Sequence, residues 1–201
     1  MSVAAAPIAI NACLFSSIIR VYLCSRAFAP ICLLEEVGAK YEVVDPTNKP
    51  ANTFAVPCIL SPSSGAAISQ VTAIMRTLGH ELGLAPTDAA ADAKCLQLCC
   101  DGVDLVKEAD AEGKVEGDRK SKWLNHFDGA LGAPHPLNYA DFAVMQALGL
   151  AGAFKSSSLA PADFPPGLMA WYKKMLETKG VKATLAKGTD MMPGGRPFPL
   201  P

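Results

Sequence analysis

The segment VPCILSPSSGAAISQVTAIMRTLG occupies residues 56–79 and contains the signals of two strands, a turn and a helix. Residues 56–60 are apolar and partly β-branched, which predicts a strand with Pro57 near its start. Residues 61–65, Ser-Pro-Ser-Ser-Gly, predict a turn, and residues 66–68 a short second strand. Ser69 can cap a helix that continues to about Leu82. The segment therefore predicts a hairpin followed directly by a helix.

A second unit precedes this hairpin. Residues 18–23 are rich in β-branched and aromatic side chains and predict a strand. Residues 28–37 have helical periodicity, and Gly38 is a typical C-terminal stop. Residues 41–44 alternate in polarity and predict another strand. Together these elements form a βαβ unit that leads into the hairpin and helix, so the N-terminal part is predicted to be an α/β domain.

After Pro86 the sequence predicts helices only. Thr87 can cap a helix in which Cys95, Leu98 and Cys99 belong to one buried stripe and Asp92 faces outward. Asn138 and Asp141 have the spacing of a capping box in front of an almost wholly apolar helix, which predicts a central position for that helix. Further helices are predicted around Trp123, Leu168 and Val181, with Trp123 and Trp171 as core anchors. The boundaries follow: extension 1–17, α/β domain 18–84, helical domain 87–188, Pro/Gly-rich tail 189–201.

Bulk composition excludes several classes of protein. The 201 residues carry 18 basic and 19 acidic side chains, so no basic stripe points to nucleic acid. The apolar run at residues 8–19 is too short to span a bilayer and lacks a basic n-region. The seven cysteines are an odd number without a C-x-x-C pair, which favours a reduced intracellular chain over a disulfide framework or a zinc site. No metal site is expected.

Five segments, taken in order, resemble the glutathione transferase superfamily. They are residues 33–42, the strand at Val56–Leu60, the helix start at residues 68–79, the Asn-Tyr-Ala-Asp-Phe run at 138–142, and residues 171–183. The resemblance covers about residues 18–188. It implies a thioredoxin-like N-terminal domain and an all-α C-terminal domain, with glutathione bound by the first domain and an electrophile against the helices.

The resemblance also implies which residues contact glutathione. Val56, before a cis Pro57, would pair through its backbone with the peptide backbone of glutathione. Gln70 and Val71 would present the start of their helix to the γ-glutamyl carboxylate. Val71 departs from the family pattern, which has a serine there, so one charge-assisted hydrogen bond worth about 1.5–3 kcal/mol is missing.

The residue that acts on the glutathione thiol follows from spacing. Counted back from Gly38, the serine or cysteine of omega-, theta- and zeta-like members falls at Cys24 without a gap. The tyrosine of other members falls at Arg20, and Tyr22 fits only with an insertion or deletion. Cys24 would lie at a helix N-terminus, where the dipole favours a thiolate. Cys24 is therefore the predicted catalytic residue, and the other six cysteines are predicted core residues.

Two functions remain open at this point. The first is a glutathione transferase or glutathione-dependent thioltransferase, with glutathione as co-substrate and a small electrophile or a disulfide as partner. The second is a scaffold subunit of a larger complex, because residues 26–28 and 38–40 also resemble the transferase-like domain of the elongation factor gamma subunit. A homodimer is expected from the family. The expected location is cytoplasmic, with organelle targeting by residues 1–17 as the alternative.

Overall fold

A four-stranded sheet forms the N-terminal half of the chain. The computed structural model describes residues 19–22, 25–61, 63–110, 115–153 and 159–188. Strands β1 (Ile19–Tyr22), β2 (Tyr41–Val44), β3 (Cys58–Leu60) and β4 (Ala67–Ser69) lie in the order β2-β1-β3-β4. β1 and β2 are parallel, whereas β3 is antiparallel to both of its neighbours. The predicted α/β organisation is confirmed.

Two helices complete this half. Helix α1 (Phe28–Val37) connects β1 to β2, and helix α2 (Val71–Glu81) follows β4. Gly38 ends α1 as predicted, because it adopts the left-handed conformation at φ 68°, which glycine reaches without steric cost. The expectation that Ser69 caps α2 is wrong: Ser69 is the last residue of β4, paired with Cys58, and Gln70 stands at the cap position.

Five helices form the C-terminal half in the part of the chain that the structure describes. They are α3 (Ala89–Asp110), α4 (Gly117–Leu131), α5 (Tyr139–Ala153), α6 (Pro166–Glu177) and α7 (Lys179–Ala186). α3 is capped by Asp88, whose Oδ1 accepts from the Ala91 N–H at 2.8 Å, and not by Thr87 as expected. α5 is buried along almost its whole length and packs against α1, α2, α3 and α6. The predicted central helix is confirmed.

The start of α5 is fixed by the predicted capping box. The Asp141 carboxylate accepts from the Asn138 N–H at 2.8 Å and also from the Trp171 indole N–H at 2.7 Å. His135 Nε2 lies 2.8 Å from the same carboxylate, and this hydrogen bond raises the pKa of His135. Asp141 is 1% exposed, and its oxygens are used in joining α5 to α6 and to the preceding loop.

A polar cluster joins the two halves. Asp92 was expected to face outward, but it is buried and accepts from Tyr139 Oη at 2.8 Å. Arg76 of α2 donates to the same carboxylate at 2.7 Å, and His80 Nε2 lies 3.1 Å from it. Burial acts to raise the pKa of Asp92, but these hydrogen bonds outweigh burial and hold the pKa below its usual value. The cluster links α2, α3 and α5.

The last helix packs directly on the first. The Gly180 N–H donates to the Glu36 carboxylate at 2.6 Å, and Lys187 forms an ion pair with Glu35 at 2.9 Å. A Cβ at Gly180 would lie 2.0 Å from the carbonyl oxygen of Cys32. Glycine at this position therefore permits the close approach of α7 and α1.

Some predicted segments lie outside the described residues. These are the extension 1–17, Cys13, the strand ends Ile18 and Leu23, and the tail 189–201. Among the residues that are described, no helix is long and apolar enough to cross a membrane.

Gly180→Ala is expected to lower the free energy of unfolding by about 1–3 kcal/mol, because the added methyl group meets backbone that cannot rotate away. Gly129→Ala is the matched control, since a Cβ there meets nothing within 4 Å and should stabilise α4 by about 0.5–1 kcal/mol. Urea denaturation of both variants measures the difference. Equal stability of the two would contradict the close contact between α7 and α1.

Candidate functional site

The register of the sheet places the predicted site residues that the structure describes next to one end of β1, β3 and β4, hereafter called the sheet edge. Tyr22 at the end of β1 lies opposite Cys58 at the start of β3, and Cys58 lies opposite Ser69 at the end of β4. Pro57 immediately precedes this row and Gln70 immediately follows it. Two of the predicted binding segments, Val56–Pro57 and Gln70–Val71, are thus neighbours in space next to the end of β1.

The Val56–Pro57 peptide bond is cis, as predicted. Pro57 is buried and Val56 is half-buried. The backbone N–H and C=O of Val56 make no backbone hydrogen bond with any residue that the structure describes. Both groups can therefore pair with an extended peptide, which is how a strand edge binds a peptide ligand.

The start of α2 offers the second set of binding groups. The first N–H groups of an α-helix have no acceptor within the helix, and the Gln70 side chain does not cap them. The Gln70 side chain is exposed, whereas Val71 is only 8% exposed and belongs to the core. The helix start can therefore bind an anion through backbone N–H groups and the helix dipole, but Val71 adds no hydroxyl donor.

The predicted catalytic Cys24 lies outside the described residues. The chain is described up to Tyr22 and resumes at Ser25, where a short 3₁₀ turn (Ser25–Ala27) leads into α1. Cys24 is thus bounded in sequence by the end of β1 and the start of α1. Its role stays a prediction.

Burial disfavours the thiolate form of the five described cysteines. Burial raises the pKa of Cys32, Cys58, Cys99 and Cys100, and raises that of Cys95 to about 11, so all five are thiols at pH 7. Cys100 is exposed, so the expectation that it is a core residue is wrong, while the other four described cysteines are buried as predicted.

An interdomain cavity adjoins the sheet edge. It measures about 40 Å³, which is room for a few water molecules and far below the volume of a drug-sized ligand site. Its N-terminal wall is formed by Arg26, Gln70 and Val71, and its helical wall by Cys99, Gly102, Val103, Val106, Ala143, Gln146, Ala147 and Leu150. Gly102 of α3 and Ala147 of α5 are small, so the two helices can approach each other closely. This close approach makes the cavity narrow.

Sequence reasoning missed two polar residues of this cavity. Arg26 supplies a cation at the exposed rim, and Gln146 is a buried amide in α5. The available signal for Gln146 was a single uncharged polar side chain in an otherwise apolar helix, since such a group must find a partner when it is buried. Within the described ranges, no group of three or more His, Cys, Asp and Glu side chains could hold a metal ion.

Gln70 combines a positive φ of 72° with an extended ψ of 122°, a conformation that L-residues rarely adopt. The Gln70→Gly variant is therefore expected to be more stable than the Gln70→Ala variant, with a free energy of unfolding higher by about 1 kcal/mol. Both variants lack the amide, so their difference isolates the backbone. Urea denaturation checks it, and an alanine variant as stable as the glycine variant would disprove the strain.

Comparisons with known proteins bear on the fold. No family model and no curated protein matches the sequence. Solved structures do match: a Pi-class glutathione S-transferase from Onchocerca volvulus has 18% identity and a TM-score of 0.67, covering 85% of this chain and 93% of that one. A glutathione S-transferase from Caenorhabditis elegans has 20% identity and a TM-score of 0.65, covering 85% and 98%.

A third matching solved structure is described with bound glutathione. A glutathione transferase from Burkholderia graminis, described with two glutathione molecules bound per subunit, has 18% identity and a TM-score of 0.61, covering 83% of this chain and 87% of that one. At such identities the likeness concerns the fold. The sheet, its cis-proline and the helical half together show that this chain has the glutathione transferase fold.

Proposed function

We propose that the protein binds glutathione along the sheet edge and uses it as the co-substrate of a transferase or thioltransferase reaction. The proposal rests on one observation: the cis Val56–Pro57 peptide bond and the Gln70–Val71 helix start lie side by side at the same end of the sheet. Val56 would hold the cysteinyl part of glutathione through its backbone, and the α2 N–H groups would hold the γ-glutamyl carboxylate. Residues 18–84 would form the glutathione-binding domain and residues 87–188 the helical domain.

Cys24 would then act on the glutathione sulfur. In a conjugation reaction, the Cys24 side chain donates a hydrogen bond that stabilises the glutathione thiolate. The thiolate forms a carbon–sulfur bond with the electrophile while the leaving group departs with its electron pair. In a thiol transfer, the Cys24 thiolate attacks a disulfide and releases one thiol, and glutathione then resolves the new disulfide. With Cys24 in this role, the protein would be of the cysteine or serine type and similar to the omega, theta and zeta classes.

The cavity limits the second substrate. The cavity between the α2 start, α3 and α5 measures only about 40 Å³. We therefore infer that the electrophile or disulfide contacts the cavity rim at Arg26 and Val103. Only a small group of this substrate would enter the cavity. The three solved structures named above are all described as glutathione transferases, which supports an enzyme over a scaffold subunit.

The expected homodimer or larger complex is supported by Phe54. This large apolar side chain is 93% exposed, and a partner chain could cover it.

Cys24→Ala is expected to lower glutathione-dependent turnover by about 100-fold, the usual cost of removing one donor to a developing anion. Cys24→Ser should retain conjugation and abolish disulfide exchange, because a hydroxyl donates a hydrogen bond but forms no disulfide. Tyr22→Phe is the matched control and should leave both activities unchanged. Turnover of a chloronitrobenzene and of a glutathione mixed disulfide measures the two reactions. If Tyr22→Phe lost activity and the Cys24 variants did not, the catalytic residue would be Tyr22 and not Cys24.

Val71→Ser is expected to tighten glutathione binding about 10- to 100-fold, since the new hydroxyl supplies a hydrogen bond to a charged carboxylate. Val71→Ala removes a similar volume without adding a donor and is the control. Isothermal titration with glutathione measures both dissociation constants. Equal affinities of the two variants would place the γ-glutamyl carboxylate elsewhere, and absence of binding in the wild type and in both variants would refute the proposed function.

A further inference from the structure

The first turn of α1 is held from the helical half of the molecule. Oε1 of Gln146 accepts from the Ala29 N–H at 2.8 Å, although the two residues are 117 positions apart in sequence. Ala29 is the second residue of α1, so its N–H is one of the groups without an acceptor inside the helix. The residue at the cap position, Ala27, makes no side-chain cap. Gln146 therefore does from α5 what a capping side chain ordinarily does from the preceding residue.

Burial makes this contact necessary. Gln146 is 4% exposed and most of its neighbours along α5 are apolar. A buried amide that lost its hydrogen bond would be costly, and so would the buried Ala29 N–H facing it. The other buried polar groups of α5, on Tyr139 and Asp141, find partners at the N-terminal end of the helix. The Gln146 contact is thus a polar link from α5 to the start of α1.

The same side chain lines the interdomain cavity. Gln146 forms part of its helical wall, opposite Arg26 and Gln70. Arg26 lies in the short turn that leads into α1, three residues before Ala29. One amide therefore contacts both the cavity and the helix start that follows Arg26.

Resting on the proposed function, we propose that Gln146 is a positioning residue for the glutathione reaction. By holding Ala29 it fixes the start of α1, and with it Arg26, relative to the Gln70–Val71 helix start across the cavity. Glutathione itself is held by Val56 and α2, which Gln146 does not hydrogen-bond. Loss of the Gln146 acceptor should therefore impair turnover more than glutathione binding.

The test compares substitutions at position 146 with a control elsewhere on α5. Gln146→Met keeps the length of the side chain and removes the acceptor, and Gln146→Leu repeats the test if the methionine variant does not fold. Gln146→Glu keeps an acceptor, and a carboxylate is favoured at a helix N-terminus. Tyr139→Phe is the control, because Tyr139 is also buried in α5 and donates to Asp92 of α3 at 2.8 Å, and neither residue lines the cavity.

Two readouts are measured. In Gln146→Met, kcat should fall by about tenfold or more, as expected when a group that contacts the second substrate is misplaced, with the KM for glutathione within about twofold of wild type. Amide hydrogen exchange in the peptide covering residues 25–34 should accelerate by about fivefold or more, the effect of losing one buried hydrogen bond. Gln146→Glu should restore both. Tyr139→Phe should lower Tm by a similar amount and change neither.

The inference is overturned if Gln146→Met leaves kcat and exchange at wild-type values, or if Tyr139→Phe lowers kcat as much. A rise in the KM for glutathione with unchanged kcat would also overturn it, because Gln146 would then act in binding. Exchange is measured without glutathione. If the wild-type chain binds no glutathione, the proposed function fails, and the exchange result alone decides whether Gln146 holds α1.

Discussion

Helix α5 is buried on almost all sides, and the rest of the structure depends on covering it. Twelve of its fifteen residues are buried, and four helices from both halves of the chain cover it. A helix that is apolar all round cannot be stable at a surface, so the α/β half and the helical half must pack together for either to bury its core. The interface between them is therefore a part of the core, and a cavity in it lies between elements that are fixed on both sides.

Each polar group of α5 must find a partner in the helices and loops that cover it, because water is excluded from most of its surface. Tyr139 bonds Asp92 of α3, Asp141 bonds Trp171 of α6, and Gln146 bonds the backbone of α1. A sliding or rotation of α5 would break all three contacts at once. Apolar packing alone tolerates small shifts, so these directional contacts are what specify how the two halves meet.

Local chemistry explains which features could be predicted from the sequence. Gly38 and the Asn138–Asp141 capping box depend on residues that are close together in the chain, and both are predicted from them. The cis Pro57 is predicted from the resemblance to the glutathione transferases, because most X-Pro bonds are trans. The failures share a different cause. Ser69 looks like a helix cap until β4 pairs with β3, and Asp92 looks like a surface residue until Arg76 and Tyr139 are placed beside it. Gln146 acquires its role only when a backbone N–H 117 residues away faces it. Such partners are set by packing and not by spacing.

The same distinction applies to the candidate site. Binding groups made of backbone, such as Val56 and the start of α2, are set by sheet register and follow from the fold even where sequence identity is low. The group that we propose to act on the glutathione sulfur, Cys24, is a side chain, and proteins that share a fold differ in such side chains. The proposed glutathione binding therefore depends on the fold, whereas the proposed reaction also depends on the identity of one residue. The hydrogen bond between Ala29 and Gln146 connects the start of α1 to the helical half, so the position of this helix start in the first domain depends on the packing of the second.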